Sequence, residues 1–132
     1  MREHTVQQRV RYDECDPMGL VHHSRYLQYF EIGRTELLRA SGGRYRSMEE
    51  AGQFVVVVRV DCRYRSPAKY DDVINIQTRI AKVTAAKIIH DYTITRDGVT
   101  LVEATVTLGV IDRNGKLQRV PQELLDLYAD PV

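Results

Sequence analysis

The stretch from Tyr12 to Tyr26 carries the side chains of this chain that are best suited to chemistry. It holds three carboxylates, a proline and glycine that predict a turn, and two adjacent histidines: Asp13, Glu14, Asp16, Pro17, Gly19, His22 and His23. An apolar helical pattern follows directly. A carboxylate beside a helix N-terminus can attack an electrophile or activate water, and free backbone N–H groups there can hold a developing oxyanion. We therefore expect any catalysis to occur in this stretch.

The elements on either side of this stretch are predicted from periodicity. Residues Thr5 to Tyr12 alternate between apolar and polar, which predicts a half-buried strand that ends at the carboxylates. A helix is predicted from about Ser24 to Ala40, with Ser24 as a possible N-cap and a glycine pair as its end. Its wide apolar face, which predicts burial against a sheet, comprises Tyr26, Leu27, Phe30, Gly33, Leu37 and Leu38.

The second half of the chain is predicted to be mostly strands, after an irregular polar stretch. Four alternating runs cover approximately 56–64, 74–80, 88–94 and 102–110, and Val56, Val58 and Val60 are expected on one face. A short helix is predicted from Gln122 to Tyr128. Consecutive strands joined by short turns pair antiparallel, so we predict an α+β fold with the long helix packed on one face of the sheet.

Composition limits the range of functions. The 132 residues suit a single domain, 1–132, and 43% apolar with 28% charged residues is ordinary for a globular protein. A net charge of +1 gives no general case for binding nucleic acid or an anionic membrane. Cys15 and Cys62 fit no zinc spacing and are expected to be free thiols. With no signal peptide and no long apolar run, we predict a cytoplasmic protein without a stable membrane anchor.

Several motifs resemble those of the hotdog-fold acyl-CoA thioesterases, in the 4-hydroxybenzoyl-CoA thioesterase-like branch. The nearest resemblance is to the small bacterial thioesterases encoded with the Tol–Pal system. Three segments carry it: Glu14-Cys15-Asp16 with the Gly19 to Tyr26 continuation, the helix segment Tyr29 to Leu38, and the turn Tyr64 to Asp72. The likeness spans nearly the whole chain. It implies a curved antiparallel sheet wrapped around one long central helix.

The resemblance also implies roles for individual residues. Asp16 matches the family's catalytic aspartate, which attacks the thioester carbonyl or activates a water that does. The backbone N–H of His23 matches an oxyanion-hole donor, and its ring is a candidate for orienting substrate or moving a proton. The substrate is expected to be an acyl-CoA, with no cofactor. Candidate substrate-binding residues are Gly19, Val21, His22, Tyr26, Lys69, Lys82 and Lys87.

Each candidate also has a plainer interpretation. Asp16 before Pro-x-Gly suits a simple turn, and Asp13 and Glu14 are expected to be solvated or salt-bridged. Adjacent histidines on a helix point about 100° apart, which argues against a shared metal ion. The lysines, taken singly, suit ordinary solvated surface. Glu31 and Arg34 are spaced for an ion pair on the helix, and the alternative on a buried helix is that they are structural polar groups beside the pocket.

Three functions stay open from the sequence. The first is hydrolysis of an acyl-CoA or, less in keeping with the motif, of an acyl-carrier-protein thioester. The second is a hotdog hydratase or dehydratase, whose His–acid helix motif is not visible in this sequence. The third is a binding or complex-forming protein that has kept the fold. The resemblance also implies an obligate homodimer with an active site at the dimer interface, doubled to a homotetramer.

Overall fold

A computed structural model describes residues 1–129 of the chain; the last three residues of the predicted 1–132 domain lie outside the described part. Alternating apolar residues form strands β1 to β6, and runs with helical spacing form α1 to α3. In chain order these elements are β1 (Glu3–Arg9), α1 (Arg25–Ala40), α2 (Tyr45–Glu50), β2 (Phe54–Tyr64), β3 (Val73–Val83), β4 (Ile88–Arg96), β5 (Val99–Ile111), β6 (Leu117–Gln118) and α3 (Gln122–Leu127).

The strands form one antiparallel sheet in the order β1-β3-β4-β5-β2, and β6 pairs with the end of β5. The predicted α+β arrangement of one long helix and an antiparallel sheet is confirmed. No helix of the described residues is long and apolar enough to cross a membrane.

Helix α1 packs across the inner face of the sheet. Phe30 stacks on Tyr92 of β4, with ring centroids 4.6 Å apart. Gly33 lies so close to β3 that an added Cβ would be 2.9 Å from Ile76 Cγ2 and nearer still to Thr78 Oγ1. This close approach fixes the height of the helix over the sheet. The N-terminus of α1 is thereby held at one end of the sheet, beside the loops that flank Asp16.

The structure corrects four details of the sequence prediction. Strand β1 ends at Arg9, and Tyr12 begins a 3-10 turn through Glu14, where Tyr12 is 79% exposed. Helix α2 forms inside the stretch predicted to be irregular, and β6 is an additional short strand.

Two further corrections concern apolar faces. The register of β2 against β5 shifts between Val57 and Arg59, so Val58 is the extra residue of a β-bulge. Val56 and Val58 therefore do not share the inward face of Val60, because the bulge changes which residues point inward. Leu27 was predicted on the buried face of α1, but it is 45% exposed in the described chain.

Candidate active site

Asp16 closes a five-residue turn and also lines a cavity. Its Oδ1 accepts hydrogen bonds from the N–H groups of Met18 (2.8 Å) and Leu20 (3.2 Å). Its own N–H donates to the Leu20 carbonyl at 2.8 Å, and Gly19 takes the φ of +79° that this turn requires. The turn interpretation of Asp16 is therefore correct as a description of Oδ1. Within residues 1–129, no hydrogen bond reaches Oδ2, so that oxygen is free to face a ligand.

The cavity beside Asp16 has a volume of about 320 Å³. It lies between the start of α1 and the end of β2. Its walls are formed by Asp16, Leu20, Val21, His23, Tyr26, Tyr64, Arg65, Ser66 and Pro67. The structure thus brings together the predicted carboxylate, the predicted oxyanion residue and two of the predicted substrate contacts, Val21 and Tyr26.

His23 presents a free backbone donor at this cavity. It lies two residues before α1, in a turn where the Arg25 N–H donates to the His22 carbonyl at 2.9 Å. Among the described residues, no acceptor lies in hydrogen-bond geometry with the His23 N–H. Ser24 occupies the N-cap position, but its hydroxyl does not cap the helix; it lies 2.8 Å from Nδ1 of His22. The positive end of α1 is therefore not capped by this side chain.

The two histidine rings lie close together, contrary to the prediction. Their centroids are 4.2 Å apart at 32°, because both residues precede the helix instead of lying on it. Both rings are exposed. In the part of the chain that the structure describes, no three His, Cys, Asp or Glu side chains converge as metal ligands would.

Glu14 is buried, which corrects the prediction that it is solvated or salt-bridged. It is 9% exposed, and its Oε1 accepts from the Arg11 N–H (2.7 Å) and the Tyr29 hydroxyl (2.9 Å). Burial, and then this bond to Glu14, raise the pKa of Tyr29 well above its ordinary value. Glu14 thus ties the carboxylate loop to α1. Asp13, by contrast, is exposed as predicted.

Tyr26 links the start of α1 to the loop after β2. It is 3% exposed, and its hydroxyl accepts from the Ala68 N–H at 3.1 Å. The Ala68 carbonyl in turn accepts from the Val21 N–H at 2.9 Å. Desolvation raises the pKa of Tyr26, so the hydroxyl stays protonated at neutral pH.

The remaining predicted substrate contacts lie at different distances from the cavity. Gly19 serves the turn, His22 is exposed beside His23, and Lys69 pairs with Leu20 through an isolated bridge next to the cavity. Lys82 and Lys87 lie at the far end of β3. The length of the strand, roughly 30 Å, separates this end from the loop before β3 that borders the cavity. A single chain does not bring these two lysines to the cavity.

Sequence reasoning gave no site role to Tyr64 and Arg65. Both line the cavity, and Arg65 pairs with Glu103 of β5 at 2.7 Å. The signal for them was present, because both belong to the Tyr64 to Asp72 segment that resembles the family. Of the two interpretations of Glu31 and Arg34, the ion pair does not occur in the described chain; both residues line a second cavity near α2.

Comparisons with known proteins identify the family to which this geometry belongs. Residues 10–127 match the model of the thioesterase-like superfamily. The chain is 34% identical over 119 residues to the acyl-CoA thioesterase YbgC of Haemophilus influenzae, covering 88% of this chain and 87% of that one.

Solved structures give the same fold. The probable thioesterase of Bartonella henselae is 33% identical, with a TM-score of 0.85 over 90% of this chain and 99% of its own. A mutant of 4-hydroxybenzoyl-CoA thioesterase, complexed with 4-hydroxybenzoyl-CoA, superposes with a TM-score of 0.88 at 21% identity, over 98% of this chain and 100% of its own. At that identity the likeness concerns the fold alone. The predicted hotdog fold and family are confirmed; association with the Tol–Pal system stays a prediction.

Proposed function

Since this chain belongs to the thioesterase-like superfamily and is a thioester hydrolase, we propose that it cleaves an acyl-CoA to a free acid and CoA at the cavity beside Asp16. The observation that carries the proposal is the juxtaposition of two groups in that cavity. Among the described residues, one Asp16 carboxylate oxygen accepts no hydrogen bond and the His23 N–H has no acceptor, and both residues line the walls of this cavity.

The proposed chemistry uses one carboxylate and one helix end. Asp16 Oδ2 attacks the thioester carbonyl, or takes a proton from a water that attacks it. The carbonyl oxygen becomes negative in the tetrahedral intermediate, and the His23 N–H with the positive end of α1 stabilises that charge. Collapse breaks the C–S bond and releases the thiolate of CoA. In the attack route, water then hydrolyses the acyl–Asp16 anhydride.

Asp16 has two compatible tasks in this scheme. Oδ1 holds the turn from Asp16 to Leu20 through two backbone N–H groups, and this fixes the direction in which Oδ2 points. A carboxylate held by such bonds loses little conformational freedom when substrate arrives. The turn therefore supports catalysis instead of competing with it.

The His23 side chain is assigned a lesser part than its backbone. The ring lies at the cavity wall, where it can contact substrate or pass a proton. It is also exposed and contacts only the tilted ring of His22 among the described aromatic rings, so its orientation is only weakly fixed. We therefore place the larger share of transition-state stabilisation on the backbone N–H.

An acyl-CoA is favoured over other thioesters by the H. influenzae relative, which is named an acyl-CoA thioesterase. CoA carries three phosphates, and guanidinium and ammonium groups recognise phosphate. Arg65 at the cavity and Lys69 next to it are the proposed contacts of this chain. Lys82 and Lys87 are proposed to contact CoA only from another subunit. No cofactor takes part in the proposed reaction.

A homodimer with its active sites at the subunit interface, doubled to a tetramer, completes the proposal. Strand β2 is one of the two edge strands of the sheet, and it exposes Val57 (49%), Val58 (63%) and Val60 (39%). An exposed apolar edge strand is a site for pairing with a second copy. The adjoining groove between Leu27 and Val60 would extend the cavity for the acyl group. We also propose a cytoplasmic location, because Cys15 and Cys62 are free thiols, as is usual in a reducing compartment.

Thiol release from a panel of acyl-CoAs, followed with a thiol reagent, tests this function. The panel should include short, long and aromatic acyl groups, an acyl-carrier-protein thioester and an enoyl-CoA. Hydrolysis in water enriched in oxygen-18 should place one heavy oxygen in the product acid. Hydration of the enoyl-CoA without thiol release would instead identify a hydratase. Tight binding without release of thiol from any substrate would identify a binding protein.

A further inference from the structure

Tyr64 at the end of β2 reaches across the cavity to the residue that carries the proposed oxyanion donor. Its hydroxyl donates a hydrogen bond to the His23 carbonyl at 3.1 Å. The two residues are 41 positions apart, so this bond is a tertiary link between the edge strand and the turn before α1. The His23 carbonyl precedes the N-cap residue and so lies outside the regular hydrogen-bond ladder of the helix.

This bond restrains the backbone of His23 from one side. The His23 carbonyl and the His23 N–H lie in two successive planar peptide groups, which are joined only by the φ and ψ torsions of His23. Because the carbonyl is held, rotation about these two torsions is limited, and the direction of the N–H is limited with it. The N–H itself has no acceptor in the described chain, so the carbonyl is the available point of attachment.

The ring of Tyr64 is itself held by a second contact with the start of α1. It packs edge to face against Tyr26, with centroids 5.5 Å apart at 65°. Tyr26 accepts from the Ala68 N–H, so the loop after β2 is fixed to the first turn of α1 at two places. A hydroxyl on a ring held in this way loses little freedom in making its bond to His23.

The Tyr64 hydroxyl stays a donor over the useful pH range. Burial, and then the nearby Cys62 thiol, raise the pKa of Tyr64 to about 12. The tether to His23 therefore does not titrate near neutral pH.

We propose that Tyr64 is a positioning residue for the thioesterase reaction: its hydroxyl holds the His23 carbonyl, and by restricting φ and ψ of His23 it keeps the N–H of that residue pointing at the developing oxyanion. This inference rests on the proposed function. It gives Tyr64 no contact with the reacting atoms. It predicts a cost in the chemical step, because the restraint matters most where charge appears on the carbonyl oxygen.

The test is the variant Tyr64→Phe, which removes one oxygen and keeps the ring. We expect kcat on the best acyl-CoA of the panel to fall roughly three- to tenfold, which is the value of one ordinary hydrogen bond, while KM changes less than about twofold. Tyr70→Phe is the matched control. Its ring is similarly exposed and packs against Tyr12, away from the cavity, and its kcat should equal that of the wild type.

A second pair of variants separates positioning from general structure. Substrate affinity measured in the inactive background, Asp16→Asn against Asp16→Asn/Tyr64→Phe, should be the same within about twofold, because a positioning role concerns the transition state. Thermal unfolding of Tyr64→Phe should stay well above the assay temperature.

Three results would overturn the proposal for Tyr64 while leaving the proposed function intact. They are an unchanged kcat in Tyr64→Phe, a raised KM at unchanged kcat, and a fall in kcat that tracks partial unfolding at the assay temperature. If the wild-type protein released no thiol from any substrate, the proposed function itself would fail. The two failures are therefore distinguished within one experiment.

Discussion

Buried polar groups near the N-terminus of α1 differ in hydrogen bonding from those under the middle of the helix. At the N-terminal end, buried polar atoms are paired across elements: Glu14 with Tyr29, and Tyr26 with Ala68. Farther along the helix, against the sheet, both ring nitrogens of His90 and the Tyr128 hydroxyl are buried without a hydrogen-bond partner among the described residues. The Arg34 guanidinium approaches the Tyr92 hydroxyl there, but their geometry falls short of a hydrogen bond.

The difference separates positioning from packing. Paired polar groups near Asp16 fix the angles between a loop, a helix start and a strand end, which is what a reaction requires. The polar side chains under the middle of α1 contribute mainly by filling space in the core, since His90 stacks on Tyr92 and packs edge to face against Tyr128. Changes at the first end should therefore affect activity, and changes at the second should affect stability and its pH dependence.

The largest effect on stability is expected at Glu14, which both positions the carboxylate loop and stabilises the fold. In Glu14→Ala the buried Tyr29 hydroxyl and the partly buried Arg11 N–H lose their acceptor, which should lower the free energy of unfolding by about 3 kcal/mol. Denaturant unfolding measures this change. Glu14→Gln keeps an acceptor oxygen and should lose less, while the double variant Glu14→Ala/Tyr29→Phe should recover part of the loss. An Ala variant as stable as the wild type would contradict the importance of this pair.

Gly33→Ala should cost about 2 kcal/mol of unfolding free energy, even though alanine favours a helix by about 1 kcal/mol over glycine. The new methyl group would press on Thr78 Oγ1 and on Ile76 Cγ2, which lies 2.9 Å from the ideal Cβ position. In a double-mutant cycle, Thr78→Ala should relieve part of the loss, because it removes the nearest atom. A stabilised Gly33→Ala protein would show that the helix has room to move away from the sheet.

The helix and strands could be predicted from the sequence, but the contacts between residues far apart in the chain could not. Alternation and helical spacing predicted α1 and the main strands because those patterns are local. The burial of Glu14 depends on Tyr29, fifteen residues away, and the tether of His23 depends on Tyr64. No periodicity encodes such contacts. The bulge at Val58 was missed for the same reason, since four consecutive valines carry no register information.

Stability should fall on acidification through His90. Burial, and then the nearby Arg34 charge, lower the pKa of His90 from 6.5 to about 3. Between pH 6.5 and 3 the unfolded chain therefore binds a proton at His90 that the folded chain does not bind. The free energy of unfolding that is present above pH 6.5 is lost as the pH falls toward 3. Between pH 7.5 and 5.5 the loss should be about 1.4 kcal/mol from this residue.

Denaturant unfolding at both pH values, compared with His90→Phe, isolates this contribution from other titrating groups. The variant should show a pH dependence that is shallower by that amount. Equal dependence in the two proteins would mean that the folded protein protonates His90 near its ordinary pKa.

The smallest effect is expected from the His23 ring. His23→Ala keeps the backbone N–H, and the ring is exposed, so kcat should fall no more than about threefold, or roughly 0.6 kcal/mol. The pH profile of kcat/KM shows whether the His23 ring acts as a general acid or base. A loss of a hundredfold or more, with disappearance of a pKa near neutrality from the profile, would assign the ring to general acid–base catalysis instead.

The central claim is that Asp16 performs the hydrolysis, and the kcat of Asp16→Asn on the best acyl-CoA tests it most directly. Asparagine keeps an oxygen that can accept the Met18 and Leu20 N–H bonds, so the turn should survive while the charge is lost. We expect kcat to fall by about 10²- to 10⁴-fold with unfolding free energy nearly unchanged. Asp13→Asn, an exposed neighbour outside the cavity wall, should keep wild-type activity. Undiminished hydrolysis by folded Asp16→Asn would contradict the account.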